Sequence, residues 1–243
     1  MSINGLVSCA RFAYPPNFLS LCGPTNKKND LKWYTSTGQI DVGTKEILSA
    51  FSTLYPYLSL IAYENNIRDP FDTKVVEAYW LGNRLLNKID IAKFVYHLKD
   101  TLQLKRKTTG KDLNQLLAKL INGGIPHHAF HVLNVYKRTG NNESLHNLKT
   151  LEACLINWGK VEKVFPNLLL VKTKPLVLSG NKIIWGNPIQ RTVKMEVKDE
   201  IIKPGDWITY HWGMYCQKIS KIKLNNLIYY TNLSLNLANN ALF

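Results

Sequence analysis

The chain has no apolar run near the roughly eighteen residues that a membrane-spanning helix needs. Its best candidate, Leu54 to Ala62, is interrupted by Pro56. Cysteines are few: Cys9, Cys22, Cys154 and Cys216 are the four in 243 residues, and no two stand in CxxC spacing. That leaves no sequence-evident metal clip or redox pair and predicts free thiols. No charged-then-apolar leader opens the sequence, so the expected setting is the cytoplasm, without a membrane anchor. Acidic residues are scarce as well, 17 Asp and Glu against 31 Lys and Arg, for a net charge of +14. The surplus is spread along the chain, 12 basic against 5 acidic residues from Cys154 onwards and 19 against 12 before it. Such a field favours acidic partners or nucleic acid, and it also serves solubility alone. There is no HExxH, no phosphate-cradling glycine loop, no Ser-His-Asp order, no paired-carboxylate motif and no internal repeat.

What is present is a 45% hydrophobic composition, enough to build one large core or two of ordinary size. Residues 1 to 40 are turn-rich, with Tyr14-Pro-Pro-Asn17 and Cys22-Gly-Pro24, and read as an irregular lead-in. From Thr44 the apolar spacing becomes helical, Ile47, Leu48, Phe51, Leu54, Leu58 and Ile61 recurring at three and four, with a kink or division expected at Pro56. Asp72 caps a second predicted helix carrying Val75 to Ile89, a third begins at Asp90, and a fourth spans Leu113 to Ile121. Pro126 is placed to start a fifth.

After Asn141 the texture turns to short alternating segments: Ile156 to Phe165, Leu168 to Thr173, Lys182 to Trp185, Gln190 to Val197 and Trp207 to Trp212. Ser220 then caps a last helix with Leu224, Leu227, Ile228, Thr231 and Leu235 on one face. The fold expected is α+β: a helical domain over residues 1–150, then a small β-barrel with a terminal helix over residues 151–243.

Several residues have the chemistry of a site. His127 and His131 would lie one turn apart if Pro126 starts a helix, a workable spacing for two metal ligands, with His128 pointing elsewhere. Without a metal the three histidines would cap that helix or line an interface. Cys22, in a Cys-Gly-Pro turn, suits a ligand, a nucleophile or packing under a loop. Cys154 is followed by Lys160 and Lys163, which can lower a thiol pKa, although free cysteine is also among the most buried residue types. Glu77 stands among aromatics and is expected either to have a raised pKa or to pair with Arg84. Trp158, Trp185, Trp207, Tyr210 and Trp212 beside many lysines would suit single-stranded nucleic acid, if the rings face outward.

Cys154-Leu-Ile-Asn-Trp-Gly-Lys-Val161 and, later, Gly205-Asp206, Ile208, His211 and Gly213 before the Ser220 helix resemble the [NiFe]-hydrogenase assembly chaperone family HypC/HupF over roughly Cys154 to Ala238. The resemblance implies an OB-like barrel and a thiolate, Cys154, that carries an Fe(CN)2CO fragment transiently with help from His211. It implies as partners a HypD-like scaffold and the hydrogenase large-subunit precursor. A thiolate and an imidazole suit such a soft, low-spin iron. Here Cys154 is internal, Trp158 stands where the family has proline, and Met214-Tyr215 replace its Phe-Ala. The first 150 residues are similar, through Ala10-Arg-Phe-Ala-Tyr-Pro-Pro-Asn17, Glu77-Ala-Tyr-Trp-Leu-Gly-Asn83 and Pro126-His-His-Ala-Phe-His131, to uncharacterised bacterial and archaeal proteins. The expected function is an accessory or chaperone role in hydrogenase metal-centre assembly, with Cys154, His211, Cys22, His127, His128 and His131 as the metal-ligand candidates. An enzyme with an interdomain Cys/His pocket and a basic nucleic-acid module are the alternatives.

Overall fold

The lead-in is helical. In the structure, a computed structural model that describes residues 3–135 and 146–240, α1 spans Gly5–Phe18, with the Asn4 side chain accepting from the Leu6 amide as N-cap. Tyr14-Pro-Pro-Asn17 signals a turn, yet Val7 to Asn17 are all buried. A helix buried around its whole circumference is stabilised by packing on every side, and that burial outweighs the two prolines. Helix α2 (Lys28–Thr37) follows. Arg11 of α1 is fully buried and paired with Asp199 and Glu200, and Tyr14 donates to Glu196 at 3.0 Å. These bonds strap the segment between the fifth and sixth strands across α1.

Helices α3 (Val42–Ser49) and α4 (Leu54–Glu64) are divided at residues 50–53, just before Pro56, which then sits in the first turn of α4 where its missing N–H costs nothing. Asp72 does cap α5 (Thr73–Trp80), accepting from the Lys74 amide. This helix stops well short of Ile89, because Gly82 takes φ +84° and a Cβ there would fall 1.9 Å from the Tyr230 ring. Asp90 caps α6 (Ile91–Tyr96), and α7 (Leu104–Lys107) and α8 (Gly110–Ile121, capped by Thr109) complete the helical layer. Pro126 precedes rather than starts its helix: His127 is the N-cap of α9 (His128–Phe130), a single turn. Helix α10 (Leu148–Cys154) has an Asn147/Thr150 capping box. The boundary expected between residues 150 and 151 falls inside α10.

The architecture is mixed α+β: helices first, then a sheet region, then α11 (Lys221–Asn239), capped by Ser220 through the Lys223 amide. The strands are β1 (Asn157–Phe165), β2 (Leu168–Thr173), β3 (Leu176–Ser179), β4 (Lys182–Trp185), β5 (Ile189–Lys194), β6 (Trp207–His211) and β7 (Met214–Ile219). Strands β3 and β7 carry no separate signal in the alternation of the sequence. Strand β1 pairs antiparallel with β2 and β6, β2 with β5, and β6 with β7. The remaining link, between β5 and β7, is a single parallel pair, Lys194 with Met214, so the sheet curls round with little ladder along its last edge. Strands β3 and β4 form a separate hairpin.

The main core crosses from one part to the other. Phe12, Trp80 and Phe130 belong to the same buried cluster as Ile156, Met214, Cys216, Leu224 and Leu227. A smaller cluster of Val161, Leu169, Val171, Val193 and Ile208 fills the sheet region. Helix α1 packs directly on β6 and β7, which carries its far end to the end of β6.

Candidate metal centre

The site is assembled around the C-terminus of α10. A helix end leaves its last carbonyls without intrahelical donors, and here other elements supply them. Asn157 Nδ2 donates to Glu152 O at 2.8 Å and Leu155 O at 3.0 Å, and the Trp212 amide donates to Ala153 O at 2.9 Å. The carbonyl oxygen of Cys154 faces two imidazoles, His128 Nε2 at 2.8 Å and His211 Nε2 at 2.9 Å. This brings the end of α10, the first residue of α9 and the last residue of β6 to one point. The ligand atoms available on His128, Cys154 and His211 lie within 4.8 Å of one another.

His211 is presented by a two-residue hairpin. Trp212 and Gly213 both have positive φ, +49° and +75°, between the paired residues His211 and Met214. Such turns favour glycine or asparagine, so a tryptophan at the first position is strained, and its indole becomes part of the cavity wall. Trp80 packs against both histidines, with ring centroids 4.6 Å from His128 and 6.0 Å from His211, and the two imidazoles are 5.4 Å apart.

The cavity is about 280 Å³ and is walled by Cys22, Tyr79, Trp80, His128, His131, Cys154, His211 and Trp212 among others. Cys22 reaches it from the loop after α1, which Asn17 Nδ2 holds by donating to Cys22 O at 3.0 Å and Pro24 O at 2.9 Å. No carboxylate lines the cavity among the described residues, and Lys107 is the one lysine that does.

Burial sets the charge state. It pushes the Cys154 thiol up to about 12, the nearby Cys22 thiol adding to the effect and the Trp212 indole N–H opposing it. Cys22 is raised to about 11, again by burial. The residue Cys154 is only half-buried, but its sulfur end is enclosed. The expected help from Lys160 and Lys163 is absent: both point from β1 into solvent and neither acts on the thiol. Burial likewise pushes His211 down to about 4 and His128 well below its usual value, the latter also through the neighbouring His211. All three donors are therefore neutral near pH 7. A neutral thiol beside neutral imidazoles is a poor nucleophile pair, whereas a metal can displace the thiol proton and take two imidazole lone pairs.

Of the sequence candidates, the structure brings Cys154, His211 and His128 together and places Cys22 and His131 on the same cavity wall. His128, expected to point away, reaches the site, His131 lines the cavity, and His127 does not line it. Because the helix starts two residues later than Pro126 suggests, His127 caps it, its Nδ1 accepting from the Ala129 amide at 3.2 Å and its ring stacking on Tyr230 at 5.6 Å. His131 Nδ1 lies 3.0 Å from the Tyr57 hydroxyl. Sequence reading missed Trp80 and Trp212 as walls of the site, and the unusual Trp-Gly pair in a hairpin turn was the available signal for the second. Glu77 is paired with Lys223 at 2.6 Å rather than with Arg84. The aromatics of the sheet region are engaged internally: Trp158 packs on Trp185 at 5.0 Å, Trp185 Nε1 donates to Asn232, Lys221 covers Trp207, and Tyr210 is buried.

No helix among the described residues is long and apolar enough to cross a membrane. No curated protein and no solved structure matches the chain. Both parts, the helical segment and the sheet with its final helix, fall within one match over residues 1–243, and the chain belongs to DUF6390, a family of unknown function.

Proposed function

We propose that the protein is a metal-handling accessory protein that holds a soft transition-metal species through Cys154, His128 and His211 and passes it on. The observation that carries this reading is the convergence of one thiol and two imidazoles, from three separate elements, on the wall of a cavity. Sulfur and imidazole together favour soft or borderline metals over magnesium or calcium. Charge adds a preference. A bare dication bound to one thiolate would keep a net positive charge beside Lys107 with no carboxylate to offset it. A metal that brings its own anionic ligands would not.

That preference agrees with the HypC/HupF resemblance of the C-terminal part, so the cargo we propose is the Fe(CN)2CO fragment of [NiFe]-hydrogenase assembly, held transiently. The HypD-like scaffold and the large-subunit precursor are the proposed partners, an OB-like barrel the proposed kinship of the sheet, and the cytoplasm, where the four free thiols would stay reduced, the proposed setting. The test is anaerobic co-expression with the cargo-forming proteins, followed by metal analysis and infrared spectroscopy. Near-stoichiometric iron with CO and cyanide bands, lost in Cys154→Ala with the fold retained, is the expected result. Iron bound equally by that variant would remove the mechanism.

A second reading, an enzyme using Cys22 and the histidines, draws on the cavity itself, which at about 280 Å³ exceeds what a metal ion alone requires. Both cavity thiols are raised by burial, which supports this less. The internally engaged tryptophans give the nucleic-acid reading less support still.

A further inference from the structure

Helix α1 contributes no metal-ligand candidate, yet it touches the centre through its backbone. The carbonyl of Phe12 would normally accept from the amide four residues on, or in a tighter turn three residues on. Those residues are Pro16 and Pro15, and neither has an N–H. Phe12 is fully buried, so its carbonyl cannot turn to water. Instead His211 Nδ1 lies 2.8 Å from it.

A carbonyl oxygen only accepts, so a hydrogen bond at this place requires the proton on Nδ1. The other ring nitrogen, Nε2, is the one aimed at the Cys154 carbonyl and the shared cavity. For His128 the demand differs: its Nδ1 faces the Tyr79 hydroxyl at 3.3 Å, which can donate or accept, so its Nε2 is free to carry a proton towards the Cys154 carbonyl. Both nitrogens of His211 face carbonyl oxygens, but the Cys154 carbonyl has a second donor in His128 Nε2 while the helical donors of the Phe12 carbonyl are prolines, so the single proton of a neutral His211 is needed at Nδ1.

We propose that Pro16, by leaving the Phe12 carbonyl without a helical donor, holds His211 as the Nδ1–H tautomer and so presents its Nε2 lone pair to the metal. Pro16 is a positioning residue acting through a backbone oxygen on the second ligand nitrogen, the arrangement by which outer partners orient metal-bound histidine. In the metal-free protein that lone pair faces the Cys154 carbonyl oxygen, an electron-rich opposition that a cation relieves. Pro15 serves as the control, since the amide restored by Pro15→Ala would point in α geometry to the Arg11 carbonyl instead.

The inference rests on the metal reading of the site, and the experiment separates the two. Heteronuclear NMR of isotope-labelled histidine, with the His211 signal assigned by its loss in His211→Gln, reports which ring nitrogen carries the proton in the metal-free protein. Cobalt(II) titration of the same samples reports binding. Wild type should show His211 protonated at Nδ1. Pro16→Ala should shift the ring towards Nε2–H and weaken cobalt binding by about 10- to 100-fold, while Pro15→Ala should change neither. An Nε2-bound proton in wild type would overturn the proposal, as would a folded Pro16→Ala variant that keeps the Nδ1 proton and full affinity. Should Pro16→Ala fail to fold, the wild-type ring signal decides alone. Absence of cobalt binding in wild type would count against the metal reading, and the tautomer result would still stand or fall by itself.

Discussion

His211 Nε2 lies 2.9 Å from the carbonyl oxygen of Cys154, and His128 Nε2 approaches the same oxygen at 2.8 Å. A helix end, a hairpin and a one-turn helix thus share one atom, and the thiol of the residue that owns it stands beside both rings. His128, placed to donate to that carbonyl, and His211, which faces it from β6, are ligand candidates together with the thiol of the same residue. Substitution separates the roles, because the carbonyl belongs to the backbone and the sulfur to the side chain. Cys154→Ala keeps the cap and removes the thiol, so it should abolish metal binding while shifting stability by no more than about 1–2 kcal/mol. Calorimetric melting alongside metal titration checks both halves.

Metal affinity should depend on pH through one proton. Burial holds the Cys154 thiol protonated up to about pH 12, whereas His211 gives up its proton above about 4 and His128 is also held well below its ordinary value. Between about pH 6 and 8, affinity should rise about tenfold per unit, with one proton released per metal. Isothermal titration in buffers of different ionisation enthalpy measures that proton count. Two or more protons released would show that an imidazole is charged before binding.

Stability should fall on the acid side. His127 and His131 are pushed by burial down to about 3 and His97 to about 4, from an ordinary value of 6.5. The folded state therefore binds fewer protons than the unfolded chain below pH 6.5, and stability drops as pH falls from there, by up to about 1.4 kcal/mol per unit for each such ring. On the alkaline side Cys9, raised by burial to about 12 from 9.0, resists ionisation only while folded, so stability declines again above about pH 9. Urea denaturation across pH should show a plateau between these limits. A flat profile down to pH 4 would contradict the burial of the rings.

How much of this was legible beforehand differs by element. Asp72, Asp90 and Ser220 announced their helices because a capping side chain is a local signal, and β2 and β4 were read at their observed bounds by alternation. Helix α1 was hidden because Pro15 and Pro16 obey local rules for turns, while the burial that overrides them comes from β6, β7 and α5. Cys154 and His211 were marked by resemblance. His128 stands among the ligand candidates but is expected to point away, since Pro126 marks a helix start two residues before the observed one and no local feature fixes that register.

The strap over α1 should be costly to break from its acidic side. Arg11 is buried and its partners Asp199 and Glu200 are partly exposed. The double variant Asp199→Asn, Glu200→Gln strands a buried cation and should destabilise by about 3–5 kcal/mol. Arg11→Met leaves only carboxylates that water can reach, and it should cost less. The order of the two melting temperatures tests the assignment, and the reverse order would refute it.

The most direct test of the metal centre is X-ray absorption on the zinc-loaded protein, zinc standing in for the cargo. The account predicts one sulfur at about 2.3 Å and two imidazole nitrogens at about 2.0–2.1 Å, with zinc no longer retained by Cys154→Ala and one nitrogen lost in either histidine variant. A shell of oxygen and nitrogen without sulfur would contradict it.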